Sequence, residues 1–326
     1  MQQLSRRGVL AAFASATVAV PGIARAAAKL DKIGVDYAYY NPISLILKKK
    51  GWLESALGGT KVEWVLSLGS NKGNQFLQAN VVQFGSTAGS AAFLARANGS
   101  PIRTVYLYSQ PEWTALVVAK NSPIASVAQL RGKKVAATRG TDPWFFLLRA
   151  LRDQKMTQHD IELVDLQHPD GRLALERGQV DAWAGLDPHM AASQLQAGSR
   201  LLYRNINYNT YGALNAREDF LRDHPDVAST VLRVYERGRR YTMTHLDEAA
   251  AVLAEASKLP IPVAAVEIKQ RTRFPDPTPG AAYRAAIAGV VPLVREANLA
   301  TAGADLDAAL AAIVDPQPAR LALAHG

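Results

Sequence analysis

The chain contains no cysteine. That excludes disulfides, thiolate metal sites and a cysteine nucleophile. It also excludes a lipid-modified N-terminal cysteine, so an exported form is expected to be free rather than tethered. Beyond the first few dozen residues no run of about 18 apolar residues occurs, and the mature chain is expected to be soluble. The histidines at 159, 168, 189, 224, 245 and 325 show no metal-ligand spacing. There is no H-E-x-x-H, no nucleophile elbow and no phosphate P-loop. No cofactor and no metal are expected, and these absences weigh against an enzyme. Low-complexity linkers and internal repeats are missing too.

What is present is enough for a sizeable core. The chain has 326 residues, 48% of them hydrophobic, and that length favours two domains. Its net charge is +9. A basic surface attracts anionic solutes. The basic residues are dispersed and no nucleic-acid motif accompanies them, so nucleic acid is not expected as a partner. Residues 1–26 read as a signal peptide. Ser5-Arg6-Arg7-Gly8-Val9-Leu10 resembles the twin-arginine export motif, with Val9 where Phe is usual, which leaves twin-arginine and general export both open. A mild apolar stretch runs from Val9 to Val20, Pro21 breaks it, and Ala24-Arg25-Ala26 fits a cleavage site. The mature protein is expected to start near Ala27; a retained anchor is the alternative.

The mature part alternates strand and helix signals. Strands are expected at 33–39, 61–68, 81–85 and 102–108, with helices at 42–55, 71–79 and 89–97 between them. Pro111-Glu112-Trp113 interrupts the pattern. It restarts with strands at 115–120, 133–138, 161–166, 180–186, 200–203 and 211–217, and helices at 127–131, 143–152, 172–177 and 189–196. From Phe220 onward the chain reads as helix. This order implies parallel sheets with crossover helices. Two short segments, Gly85-Ser86-Thr87-Ala88-Gly89 and Thr138-Arg139-Gly140-Thr141-Asp142, read as loops that turn a strand into a helix. Helix N-termini carry unpaired N–H groups and partial positive charge, so each is a candidate anion site.

Several stretches, in order, carry a family likeness: Asp36-Tyr37-Ala38-Tyr39-Tyr40-Asn41-Pro42, Ser67-Leu68-Gly69-Ser70-Asn71-Lys72, Phe84 to Gly89, Pro111 to Leu116, Thr138 to Pro143, and Asp181 to Pro188. The mature chain resembles the substrate-binding proteins of ABC importers for aliphatic sulfonates, whose relatives bind taurine, nitrate or bicarbonate. Gln83 stands where those relatives usually carry Asp. The resemblance implies a bilobed α/β protein of the type II periplasmic-binding-protein fold, with a ligand cleft between two βα domains and a helical C-terminal tail on the first lobe. The expected division is 27–111 for lobe 1, 112–217 for lobe 2 and 218–326 for the return to lobe 1. It also implies a periplasmic monomer that delivers a small anion to an inner-membrane permease.

A sulfonate head has three acceptor oxygens and no proton to give, so it calls for donors. Ser86, Thr87 and Ala88 would supply them from lobe 1, with simple helix capping as the alternative. Arg139, Gly140 and Thr141 would act from lobe 2, Gly140 allowing close approach, while Asp142 caps the next helix. Tyr39, Tyr40 and Asn41 end the first strand; one tyrosine would wall the ligand tail and the other face the core. Ser67, Gly69 and Ser70 either donate or form an ordinary turn. Trp113 and Trp144 are cleft walls or core aromatics. Glu112 and Asp187 are the carboxylates that an ammonium-bearing ligand such as taurine would want; Asp187 could instead orient Arg139 or cap a helix. An enzyme on the same fold is the competing class. Aromatic sulfinate desulfinases resemble it but use a cysteine, and thiamine-pathway relatives depend on Cys- and His-rich motifs.

Overall fold

The computed structural model describes residues 30–324. The expected signal peptide and the start near Ala27 lie outside the described residues. Strands β1 (Lys32–Tyr37), β2 (Lys61–Leu66), β3 (Phe84–Ala88) and β4 (Ile102–Pro111) come first, followed by β5 (Thr114–Val118), β6 (Lys134–Ala137), β7 (Glu162–Asp165), β8 (Ala182–Leu186) and β9 (Arg200–Tyr203). β10 (Gly212–Arg217) and the short β11 (Thr272–Arg273) complete the set. They form two sheets, ordered β11-β4-β10-β3-β1-β2 and β7-β6-β8-β5-β9. Each sheet is mixed: β1, β2 and β3 are parallel, as are β6, β7 and β8, while β10 and β5 run antiparallel to their neighbours. This is the bilobed type II arrangement that the resemblance implies. Parallel strands need helical crossovers on both faces, which is why β1, β3 and β8 are buried almost throughout; β5, antiparallel between β8 and β9, is buried with them.

β10 departs from the expected division. Tyr211–Arg217 was assigned by sequence to the end of lobe 2, but β10 pairs with β3 and β4 in the first sheet. The chain therefore crosses between sheets twice, at 111–114 and between 203 and 212. Alternation alone cannot say which sheet a buried strand joins, since both offer apolar neighbours.

The segment 85–89 is a second correction. Phe84–Ala88 is a fully buried strand rather than a loop. Its small residues serve the packing of the helix Ser70–Gln78: a Cβ on Gly85 would lie 2.8 Å from Leu77, and one on Gly73 2.8 Å from the Ser86 carbonyl. The following helix does begin at Gly89. Helix breaks also follow local chemistry. Gly51, at φ 63°, splits the expected helix 42–55 into Pro42–Lys50 and Trp52–Leu57. Gln83 is structural, its Oε1 accepting from Gly34 N at 2.7 Å. The return to lobe 1 is helical from Glu218, with a π-helical turn at Val266–Arg271.

Candidate functional site

The carboxyl ends of β1, β2 and β3 face those of β6, β7 and β8, where open α/β sheets bind ligands. On the first lobe, Ser67 to Asn71 turns from β2 into the helix Ser70–Gln78. On the second, Arg139 to Thr141 turns from β6 into the helix Asp142–Asp153. The two turns meet: a Cβ on Gly140, which sits at φ +73°, would lie 4.0 Å from Asn71 Cβ. The N–H groups of Ser70, Asn71, Gly140 and Thr141 make no hydrogen bond to another described residue. Four N–H groups at the starts of two helices are thus left without a described protein partner where the turns approach each other.

Behind the first turn lies a buried polar network, in which one Asp36 oxygen, Oδ2, is left without a partner. Asp36 Oδ1 accepts from Ser86 N and Ser86 Oγ, both at 2.8 Å, and Ser86 Oγ accepts from Asn41 Nδ2 at 2.7 Å. Tyr40 donates its hydroxyl to the Ser86 carbonyl at 3.0 Å, and Asn41 Oδ1 caps Ser44 N. Burial pushes the Asp36 carboxyl up to about 7, against the pull of the two Ser86 bonds. Thr87 Oγ1 accepts from Asn215 Nδ2 at 2.7 Å and donates to the Ala88 carbonyl, while Ala88 N donates to Ser70 Oγ. The hydroxyl protons of Ser86 and Thr87 are therefore engaged inside lobe 1, while Ser70 Oγ accepts there and donates to no described residue. Ser67 differs: it is fully buried and its Oγ has no partner.

Tyr39 and Tyr40 do not end the first strand, which stops at Tyr37; both lie in the turn after it, and that turn sends one inward and the other toward lobe 2. Tyr40 is buried, edge-on to Trp113 at 5.9 Å, and Tyr39 is half-buried, edge-on to His189 of lobe 2 at 6.4 Å. Trp113 takes the hinge position, its Nε1 donating to Asp142 Oδ2 at 2.9 Å. Trp144 packs in the core, but its buried Nε1 has no partner. Arg139 is exposed and makes no ion pair with a described residue; its N–H donates to Asp165 Oδ1. Thr141 Oγ1 donates to the Thr138 carbonyl at 2.6 Å.

Three acidic residues differ from expectation. Glu112 forms a two-pronged pair with Arg204 at 2.8 and 2.9 Å, with Arg204 half exposed, so that carboxylate is spent at the hinge surface. Asp142 is not the cap of its helix; the cap position is Thr141. Its carboxylate accepts from Ser90 Oγ (2.5 Å), Thr210 N (2.7 Å) and Thr210 Oγ1 (2.8 Å) besides Trp113. Asp187, one residue ahead of the cap position Pro188, accepts from Ala191 N in the first turn of the helix His189–Ala197 at 2.9 Å, and the charge it meets is Arg271 rather than Arg139. Arg271 contacts both Asp187 oxygens at 3.0 and 2.9 Å, and donates to Gln194 Oε1 as well. Burial raises the Asp187 carboxyl, and Arg271 opposes that rise.

Sequence reasoning missed four participants: Asn71, His168, Arg271 and Glu267. His168 opens the helix His168–Glu176 directly after β7 and is fully buried. Pro169 behind it is a legible helix-start signal. Burial, reinforced by His189, pushes His168 down to about 3, and burial pushes His189 down to about 4. Arg271 had no readable signal, since its partner lies 84 residues away. Glu267 is buried beside it with Oε2 unpartnered, its carboxyl raised well above the usual range by burial and by Asp187. Among the described residues no group of three or more His, Asp or Glu is placed to hold a metal, and no helix is long and apolar enough to cross a membrane.

A family described as "NMT1/THI5 like" matches residues 43–249. A candidate aliphatic sulfonates-binding protein of Escherichia coli (strain K12) is 31% identical over 229 residues, covering 70% of this chain and 72% of that one. The crystal structure of the periplasmic aliphatic sulphonate binding protein SsuA from Escherichia coli superposes with a TM-score of 0.74 at 28% identity, over 88% of this chain and 92% of that chain. A desulfurization enzyme, DSZB, shares the fold at 16% identity, with a TM-score of 0.64 over 90% of this chain and 99% of its own.

Proposed function

From the premise that the chain belongs to the NMT1/THI5-like family, whose matching members here include sulfonate-binding proteins, we propose that it is the extracytoplasmic binding component of an ABC importer and carries a small aliphatic sulfonate to a permease. The observation that carries this reading is the meeting of two helix N-termini, one from each lobe, with four unpaired N–H groups and no unpaired cation buried between them. A monoanion with several acceptor oxygens suits that gap. Exposed Arg139 stands at its mouth and supplies long-range attraction. A ligand touching both turns binds the closed form better than the open one, and that difference drives closure.

Isothermal titration against ethanesulfonate, longer alkanesulfonates, sulfate and nitrate tests it. Saturable one-to-one binding of alkanesulfonates with sulfate silent is expected. Silence towards every sulfonate overturns the ligand. Sulfite release on prolonged incubation would instead favour an enzyme.

A further inference from the structure

Asp36 is fully buried near the end of β1, and no described residue pairs a cation with it. Two bonds from Ser86 hold Oδ1, while Oδ2 has no partner. The helix Ser70–Gln78 presses on the same carboxyl: a Cβ on Gly73 would lie 3.5 Å from Oδ2. Ser67, in the turn that leads into that helix, faces the carboxyl too and helps to hold it down without closing a hydrogen bond. The other titratable neighbours are phenols: Tyr40 from the turn after β1, Tyr108 from β4 and Tyr235 from the helix Pro225–Thr244. Burial above all, with the Asp36 charge adding to it, raises all three, so they stay neutral. Glu267, itself raised by burial, acts on Tyr108 from the π-helical turn.

One helix start therefore serves two negative charges. Its free N–H groups at Ser70 and Asn71 face the anion, and its first turn stands over a carboxyl that can ionise. Both draw on the same positive helix end. An ionised Asp36 and a bound anion repel each other through buried protein, which salt screens poorly. A neutral Asp36 removes that repulsion and leaves the helix end to the anion. Burial already sets the carboxyl at about 7, so a modest further push protonates it at neutral pH.

We propose that the cleft takes up its anion together with a proton, and that the proton lands on Asp36 Oδ2 with Ser67 Oγ beside it as the acceptor. The proposal rests on the sulfonate reading above for its ligand. The proton comes from water, so a monoanion and its proton add no net charge to the lobe. By linkage, affinity then rises as pH falls.

The test is calorimetric titration of the full chain with ethanesulfonate, whose head stays ionised throughout. Between pH 8.5 and pH 6 affinity should rise about tenfold. At pH 7.5 the binding heat should differ between bicine and Tris, two buffers without a sulfonate group, because about half a proton is taken up per ligand. Asp36→Asn carries its own donor in place of the proton, and should bind with no pH dependence and with equal heats. Carbon-13 NMR of the native Asp36 carboxyl serves if that variant fails to fold: near pH 7 the signal should move from half ionised to neutral on adding ethanesulfonate. A flat affinity, equal heats for the native chain, or a pH dependence that survives in Asp36→Asn overturns this proposal and leaves the sulfonate reading standing. No binding at any pH overturns both.

Discussion

Asp142 and Asp187 are both buried where the lobes meet, yet Asp142 is saturated by four neutral donors, whereas Asp187 is held by one arginine and one amide. The donors to Asp142 come from the two chain crossings, through Trp113 and Thr210, and from Ser90 at a lobe 1 helix start. Groups at a pivot keep their distances when lobes rotate, so this knot belongs to the folded state in any degree of opening. The Asp187–Arg271 pair joins the end of β8 to the π-helical turn of the returning chain, beside the 111–114 crossing, where Asp187 N donates to the Trp113 carbonyl and Glu112 N to the Arg271 carbonyl. Asp187 is buried and meets a single cation, so loss of Arg271 would leave that carboxylate unpaired in a dry site. Both carboxylates sit at the axis, one satisfied by neutral donors and the other by a charge.

The comparison can be broken most sharply at the pivot. Asp142→Ala leaves four buried donors without an acceptor and should cost about 4 kcal/mol or more by denaturant unfolding. A loss under about 1 kcal/mol would show that the pivot is not anchored there. Arg271→Met should cost about 3 kcal/mol, because Asp187 is left buried and unpaired. A loss under about 1 kcal/mol by denaturant unfolding would show that Asp187 does not depend on the arginine. Histidine titration gives a smaller effect. Folded His168 titrates at about 3 against an ordinary 6.5, so its contribution is complete above pH 6.5 and drains away as pH falls toward 3. Relative to His168→Phe, the native chain should lose about 2 kcal/mol between pH 6.5 and pH 5. Asp36→Asn should show the opposite sign, because folded Asp36 takes up its proton near pH 7, ahead of the unfolded chain at 3.8. Arg139→Ala should weaken sulfonate binding by about tenfold without changing stability. Glu112→Ala removes a partly exposed pair and should cost under about 1 kcal/mol.

Most of the fold was legible because parallel strands and crossover helices write themselves into the sequence. The expected strand at 200–203 matches β9 to the residue, and the helix at 89–97 likewise. What could not be read was membership. Gly212–Arg217 looks like any buried strand, and only the register with β3 and β4 assigns it. The site was legible as a set of turns and less so as side chains. Ser86 and Thr87 are the right types for an anion site, but their hydroxyls are spent on Asp36 and Asn215, both far away in sequence. Asn71 and His168 are the reverse case. Each keeps a buried side-chain atom without a partner, and a sequence records residue types rather than bonds left unmade.

The position of β10 bears on how the molecule comes into being. It lies between β3 and β4, more than 100 residues behind both in the chain. A growing polypeptide that has reached only residue 111 therefore holds two central strands with nothing between them, and unpaired strands of this kind attract foreign partners. The whole second lobe must be made before the gap can be filled, so the lobe synthesised first is the one that matures last. Any machinery that handles the nascent protein meets a long interval in which its leading half is still unfinished.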